Sequence, residues 1–281
     1  MCRLLAYASP HDHAIADLLS EDELAEFSAL SKLHGDGWGM AWVPGNDRGF
    51  EAQLGSTRSA SRAIDDPLYQ VFAASPMGRA GLAHIRWATP GYAVTEQNSH
   101  PFTIGPWAFA HNGNIEHSER IEALLSHRSK ALLEHDTDSK RYFLLVLQRI
   151  EELGDPIAGV RRALADIPEL CELGTLNAVL LSDELLVAIQ AQGATPAPIE
   201  WLAKSAGGAE RLPAGHDESY YKLRFSQRGS SLVISSTGIT SGRWSTLDED
   251  SIIVVDLRTN TVEILPLAST SPAAVFPLSR T

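Results

Sequence analysis

The chain is poor in cysteine and in basic residues, and it has no long unbroken apolar run. Two cysteines, Cys2 and Cys171, occur in 281 residues. That excludes a disulfide framework and fits a reducing, cytoplasmic setting. Lys and Arg number 23 against 35 Asp and Glu, for a formal net charge of −12. An acidic chain without a basic stripe argues against nucleic acid or an anionic membrane as partner. The most apolar window, 176–191, is cut by Ser182-Asp183-Glu184, so no segment reads as a membrane span. The start carries Arg3 but has neither the apolar core nor the small-residue cleavage site of a secretory signal. No glycine-rich phosphate loop is present, so neither ATP nor another cofactor is expected. His11 and His13 lack the spacing of a metal site, and a solvated loop is the expectation there.

What is there is an ordinary globular composition, 44% hydrophobic and 21% charged. The length is ample for one large core, and nothing splits the chain, so 1–281 is expected to be a single domain. Cys2 to Ala8 reads as a strand. Ser20-Glu21-Asp22-Glu23 is a capping box that opens a helix over 21–33. Asp36 to Val43 reads as a strand whose Gly37 and Gly39 mark a close approach of another backbone or a ligand. Residues 44–49 form a turn, and 67–74 fit either a helix or a strand. Gly81 to Trp87 is a strand running into a loop over 88–105, and Trp107 to His111 is a strand stopped by Asn112-Gly113. Helices are expected after Asp136-Thr137-Asp138, ending at Gly154, and from Asp155-Pro156 to about Ile167. A hairpin over 177–183 and 185–191 follows, then a surface loop over 194–217. Strands are expected at 219–226, 231–236, 251–256 and 261–265, and 268–281 reads as a loose tail. Strands at both ends with two helices between them predict an α+β layered fold.

The chain's chemistry is organised around Met1-Cys2. Removal of the initiator would leave Cys2 with a free α-amine beside its own thiol. A thiol titrates near 8.5 and an α-amine near 7.7–8 in model compounds, so roughly at neutrality the amine can take the thiol's proton. One residue then supplies both nucleophile and base. The alternative is a small buried hydrophobe. Arg86, at a strand end, suits either a bidentate carboxylate pair or a surface ion pair. Asn112-Gly113 can present an amide and a backbone N–H as an oxyanion hole, or be a plain hairpin turn. Asp136, Thr137 and Asp138 at a helix start can cap it, and Asp138 can instead accept from a ligand ammonium.

Taken together, Met1-Cys2-Arg3, Arg86-Trp87-Ala88-Thr89, His111-Asn112-Gly113 and Thr137-Asp138-Ser139 resemble the class II glutamine amidotransferases, which are N-terminal nucleophile hydrolases. The match runs to about residue 145. Asp36-Gly37-Trp38-Gly39 with His100-Pro101-Phe102, and less closely the run from Ile234 to Trp244, are similar to the stand-alone branch, where no synthase domain follows. Thr237-Gly238 departs from the acidic residue and proline common there. The resemblance implies a four-layer αββα sandwich of two antiparallel sheets between helical layers. It implies that Cys2 attacks the γ-amide of glutamine or of a γ-glutamyl amide, and that Asn112 and Gly113 hold the oxyanion. It implies that Arg86, with Thr89 assisting, takes the α-carboxylate and Asp138 the α-ammonium, with Trp87 in the binding wall. Ammonia would pass to a separate acceptor synthase. A variant is a hydrolase similar to that of the thiol-histidine (ergothioneine) pathway. A regulatory protein that only binds glutamine is a third reading, against which the terminal thiol argues.

Overall fold

A computed structural model describes residues 2–45, 53–89, 91–134, 137–171, 173–193, 196–269 and 271–278. Met1, most of the expected 44–49 turn, Pro90, Asp136, residues 194–195 of the expected loop and the last three residues of the tail lie outside the described residues. In chain order, strand β1 (Arg3–His13) leads to helices α1 (Ile15–Leu18) and α2 (Glu21–Ala29), strands β2 (Trp38–Val43) and β3 (Gly55–Ser59), helix α3 (Pro67–Ala74) and strand β4 (Gly78–Ile85). Next come β5 (Phe102–Ile104), β6 (Trp107–His111), β7 (Asn114–Ile115), α4 (His127–Lys130), α5 (Asp138–Leu153) and α6 (Pro156–Asp166). Then follow β8 (Leu173–Thr175), β9 (Ala178–Leu181), β10 (Leu185–Gln190), α7 (Ile199–Ala206) and β11 (Leu223–Arg228). The chain closes with β12 (Ser231–Ser236), β13 (Ser245–Thr246), β14 (Ser251–Asp256), β15 (Thr261–Pro266) and β16 (Ala274–Pro277).

Local chemistry accounts for the helix ends. The Ser20 hydroxyl accepts from Glu23 N while the Glu23 carboxylate accepts from Ser20 N, which is the capping box read from the sequence. The α-helix stops at Ala29 and tightens into a 3₁₀ turn over Leu30–Lys32, short of the expected 33. Asp66 caps α3 and Pro67 takes its first turn, so the ambiguous 67–74 stretch is a helix. Thr137 caps α5, Gly154 ends it in the left-handed region (φ 65°), and Asp155 with Pro156 starts α6.

Two seven-stranded antiparallel sheets stack face to face. Their orders are β13-β11-β12-β1-β4-β2-β3 and β16-β15-β14-β10-β9-β6-β5. Strand periodicity sorts the side chains. Leu4, Ala6 and Ala8 of β1 face the second sheet and meet Ala108, Ala110 and Val179 there. Leu5 and Tyr7 face the other way, against Ile15, Phe27 and Tyr69 of the helices over the first sheet. Phe109 of β6 packs on Tyr142 and Phe143 of α5 outside the second sheet. The order is helices, sheet, sheet, helices, the expected four-layer sandwich.

Three expectations need correction. The 194–217 stretch is no plain loop: it holds α7, closed by Gly207 at φ 81°, with Leu202 buried against the Tyr220 cluster. The tail is not loose throughout: β16 pairs with β15, so an edge position offers even a polar, proline-containing segment a ladder of backbone hydrogen bonds. The strand expected from 219 begins at Leu223, because Ser219 folds a turn onto Asp217. Among the described residues no helix is long and apolar enough to cross a membrane.

Candidate active site

Cys2 precedes β1, the strand between β12 and β4, and its side chain is buried. The Cys2 backbone nitrogen donates to Asn112 Oδ1 at 2.8 Å, joining the end of one sheet to the end of the other. Asn112 N donates in turn to Asn177 O at 2.8 Å. Asn112 is fully buried and its Nδ2 finds no partner among the described residues. A buried amide nitrogen left without an acceptor is costly unless something else takes its hydrogens. Gly113 follows because nothing larger fits: a Cβ there would run into Thr175 O of β8 and the His111 ring. Asn112-Gly113 is therefore both the turn and the candidate oxyanion hole.

Arg86 sits one residue beyond β4, and its backbone is clamped by the stretch before β2. Arg86 N donates to Gly37 O at 2.8 Å, and Asp36 N donates to Arg86 O at 3.0 Å. The Asp36 carboxylate accepts from Ala88 N at 2.8 Å and so shapes the turn that carries Trp87 and Thr89. Gly37 has φ 134°, and a Cβ on it would meet Ser99 Oγ and Ser59 O. The Arg86 side chain is only 4% exposed, which removes the surface ion-pair reading. Nη2 donates to Ala93 O at 3.2 Å and Nη1 has no partner among the described residues. Burial pulls the guanidinium below its usual range, and the nearby Cys2 and Asp36 charges oppose that.

Asp138 is the first residue of α5 and leaves the capping to Thr137. Its Oδ2 accepts from Ile115 N at 2.9 Å and its Oδ1 from Ser139 N at 2.7 Å. His111 lies between: Nε2 faces Thr175 O at 2.8 Å and Nδ1 faces Ser139 Oγ at 2.9 Å. Burial lowers the His111 pKa, with Asp138 opposing, so the ring is held neutral and oriented by both partners.

One cleft brings these pieces together: Cys2, Arg86, Trp87, Thr89, Gly113 and Asp138 all line it, and Asn112 lies behind, bonded to Cys2. Cys2, Arg86, Trp87, Thr89, Asn112, Gly113 and Asp138, expected from the sequence as site residues, are therefore at one place. Burial would push the Cys2 thiol up, but the amino-terminal charge and the His84 imidazole outweigh it and bring it down to about 5. A thiol so lowered is largely thiolate at neutral pH, the reactive form.

Three further features escaped the sequence reading. Tyr92 and Asn98 of the 88–105 loop line the cleft. Arg3, fully buried, donates to Tyr220 O, Thr237 O and Thr237 Oγ1 at 3.1, 3.1 and 3.0 Å, and lies 3.8 Å over the Tyr220 ring. It pins β1 to the far third of the chain. Trp201 of α7 packs on Trp87 at 4.5 Å, with His34 edge-on at 5.1 Å. Arg3 beside Cys2 was the one visible signal. Among the described residues no cluster of three or more His, Cys, Asp or Glu could hold a metal.

Comparison with known proteins gives a consistent result. The family model described as "Glutamine amidotransferases class-II" matches residues 1–197. Glutamine–fructose-6-phosphate aminotransferase (isomerizing) of Brucella suis is 30% identical over 182 residues, covering 64% of this chain and 28% of that protein. Its namesake from Pseudomonas syringae is 33% identical over 123 residues, covering 43% of this chain and 20% of that protein. The chain thus spans less than a third of the length of these relatives. Among solved structures, a glutamine aminotransferase class-II domain protein from Silicibacter pomeroyi superposes with TM-score 0.60 at 18% identity, covering 91% of this chain and 95% of that one. Glutamine phosphoribosylpyrophosphate amidotransferase from B. subtilis superposes with TM-score 0.60 at 12% identity, covering 96% of this chain and 50% of that one. Both share the fold.

The close approach at Gly113 yields a direct expectation. Gly113→Ala forces the β6–β7 turn away from Thr175 and should destabilise the protein by about 1–3 kcal/mol, as overpacking does. Thermal melting checks this, and an unchanged midpoint would mean that β8 can give way.

Proposed function

Because the chain belongs to the class-II glutamine amidotransferases, we propose that it hydrolyses the γ-amide of glutamine, or of a γ-glutamyl amide, through a thioester on Cys2. The observation that carries this is the pairing of Cys2 N with Asn112 Oδ1, which leaves Asn112 Nδ2 buried and without a partner among the described residues. With Met1 removed, that nitrogen is the α-amine. Asn112 then does two jobs with two atoms. Oδ1 orients the amine, and Nδ2, with the Gly113 N–H, receives the oxyanion that forms when the sulfur attacks the carbonyl carbon.

The proton follows a closed path. The α-amine takes it from the thiol and gives it to the departing nitrogen, so ammonia leaves and the thioester remains. Water then attacks, the amine takes its proton, and the sulfur departs to give glutamate. Arg86 binds the α-carboxylate with its Nη1, which has no partner among the described residues, and Asp138 the α-ammonium. Thr89 assists at the carboxylate and Trp87 closes the wall. The whole of 1–281 acts as one unit, since Arg3 reaches Thr237. The ammonia passes to an acceptor synthase.

A second reading has the amine portion larger than ammonia, as in an ergothioneine-type pathway. Trp87 in the cleft wall, backed by Trp201, favours it, because an aromatic surface suits a bulky leaving amine. Ammonia or amine release from a panel of γ-glutamyl amides separates the two.

Two substitutions test the site. Arg86→Lys should raise KM well beyond what a conservative change would, because a planar fork grips a carboxylate and an ammonium does not. An unchanged KM would make Arg86 structural. Asn112→Asp keeps the acceptor that holds the amine and loses the donor, placing negative charge where the oxyanion forms. It should fold normally and lower kcat at least about a hundredfold, with KM less affected. Melting and steady-state kinetics on one preparation decide it; ordinary kcat in a stable protein would reduce the Asn112 amide to a turn.

A further inference from the structure

We propose that the side-chain oxygen of Asn98 is a second acceptor for the substrate's α-ammonium, so that the cleft reads the carboxylate and the ammonium of a free α-amino acid as a pair. This rests on the reading of the cleft as a site for glutamine or a γ-glutamyl amide and deepens it, and its test needs no turnover.

Asn98 belongs to the loop between β4 and β5 and lines the same cleft as Cys2, Arg86 and Asp138. Its Nδ2 donates to Ala93 O at 3.2 Å. A carbonyl oxygen only accepts, so the amide cannot be turned round: the nitrogen faces Ala93 and Oδ1 faces away from it. That oxygen is buried and has no partner among the described residues. Ala93 O also accepts from Arg86 Nη2 at 3.2 Å, while Arg86 Nη1 is buried without a partner among the described residues. One carbonyl thus ties down one end of each side chain. The other ends are a cationic donor on Arg86 and an acceptor on Asn98. A free α-amino acid carries the complementary groups on a single carbon, a carboxylate for the donor and an ammonium for the acceptor.

Asp138 does not complete the ammonium site by itself. Its Oδ1 accepts from Ser139 N at 2.7 Å and Ser139 Oγ at 3.1 Å, and its Oδ2 accepts from Ile115 N at 2.9 Å. An ammonium brings three hydrogens. Asp138 supplies the negative charge, but both of its oxygens are already engaged. Asn98 Oδ1 is the buried side-chain oxygen of the cleft that has no partner among the described residues. A buried acceptor left unmatched is costly, and an ammonium hydrogen satisfies it.

The loop that carries Asn98 is stitched in place. Asn98 N donates to Thr95 Oγ1 at 3.3 Å, Ser99 N to Glu96 O at 3.0 Å and Ser99 Oγ to Thr95 O at 3.0 Å. Ser99 is fully buried against Gly37, where a Cβ would meet its Oγ. Gly37 O in turn accepts from Arg86 N. Asn98 and Arg86 are therefore held against one stretch of backbone, which keeps acceptor and donor in register.

The test is protection of Cys2 from iodoacetamide by L-glutamate and by glutarate, which lacks only the α-ammonium. Alkylation is read at the amino-terminal peptide by mass spectrometry, so Cys171 does not interfere. In the wild type, L-glutamate should protect at a concentration at least about tenfold below that of glutarate, the size of one hydrogen bond to a charged group. Asn98→Ala should raise the L-glutamate concentration by about tenfold and leave that of glutarate unchanged. Equal rises for both ligands would make Asn98 only a brace for the loop and overturn the proposal, and so would no rise for either. If Asn98→Ala does not fold, Asn98→Ser is judged by the same comparison. Wild-type protein that prefers L-glutamate but releases no ammonia from glutamine would remove the hydrolysis and leave the recognition standing. Wild-type protein with no preference between the two ligands overturns the recognition.

Discussion

The hydrogen bond from Cys2 N to Asn112 Oδ1 is the constraint on which the site depends. It spans 110 residues and joins the end of β1 in one sheet to the end of β6 in the other. The stacked sheets bring those two ends together, and the small inter-sheet side chains Ala6, Ala8, Ala108 and Ala110 keep the layers close. An amide has one acceptor and one donor group. With the acceptor held by the Cys2 backbone nitrogen, the direction of the donor is fixed. Fold and chemistry are thus linked through a single side chain.

Around that bond, backbones replace side chains as the positioning material. Gly37 O and Asp36 N hold the Arg86 backbone, and the Asp36 carboxylate holds Ala88 N. Gly39 admits His100 O, and Gly113 admits Thr175 O. Backbone contacts of this kind have few soft rotamers, so the groups they carry are held in place before substrate arrives. Helix α5 presents Asp138 at its first turn, pinned by Ile115 N and Ser139 N, and α7 backs Trp87 with Trp201.

Much of this was legible in the sequence, for a physical reason. Cys2, Arg86, Asn112, Gly113 and Asp138 each sit at the end of a strand or the start of a helix, where short local patterns such as Asn-Gly or Thr-Asp-Ser carry the signal. The four-layer fold was legible through the resemblance those motifs carry. What stayed hidden depends on partners distant in the chain. Nothing in the residues near His84 announces His100, because their meeting is set by strand register and by a loop folded over Gly39. Arg3 needs Tyr220 and Thr237 from the far end. Helix α7 escaped because a short helix among Ala, Pro and Gly has little periodicity, and its burial against Tyr220 decides its form. Strand β16 is held by an edge its own composition does not advertise.

The central claim is that Cys2, freed of Met1, carries the acyl group. The measurement that tests it most directly is intact and peptide mass spectrometry of enzyme quenched in acid during turnover of glutamine. The account predicts an amino-terminal peptide that begins at Cys2 and bears a γ-glutamyl group on its sulfur. Ammonia release from protein that retains Met1, or an acyl group found on Cys171 or on no cysteine at all, would contradict it.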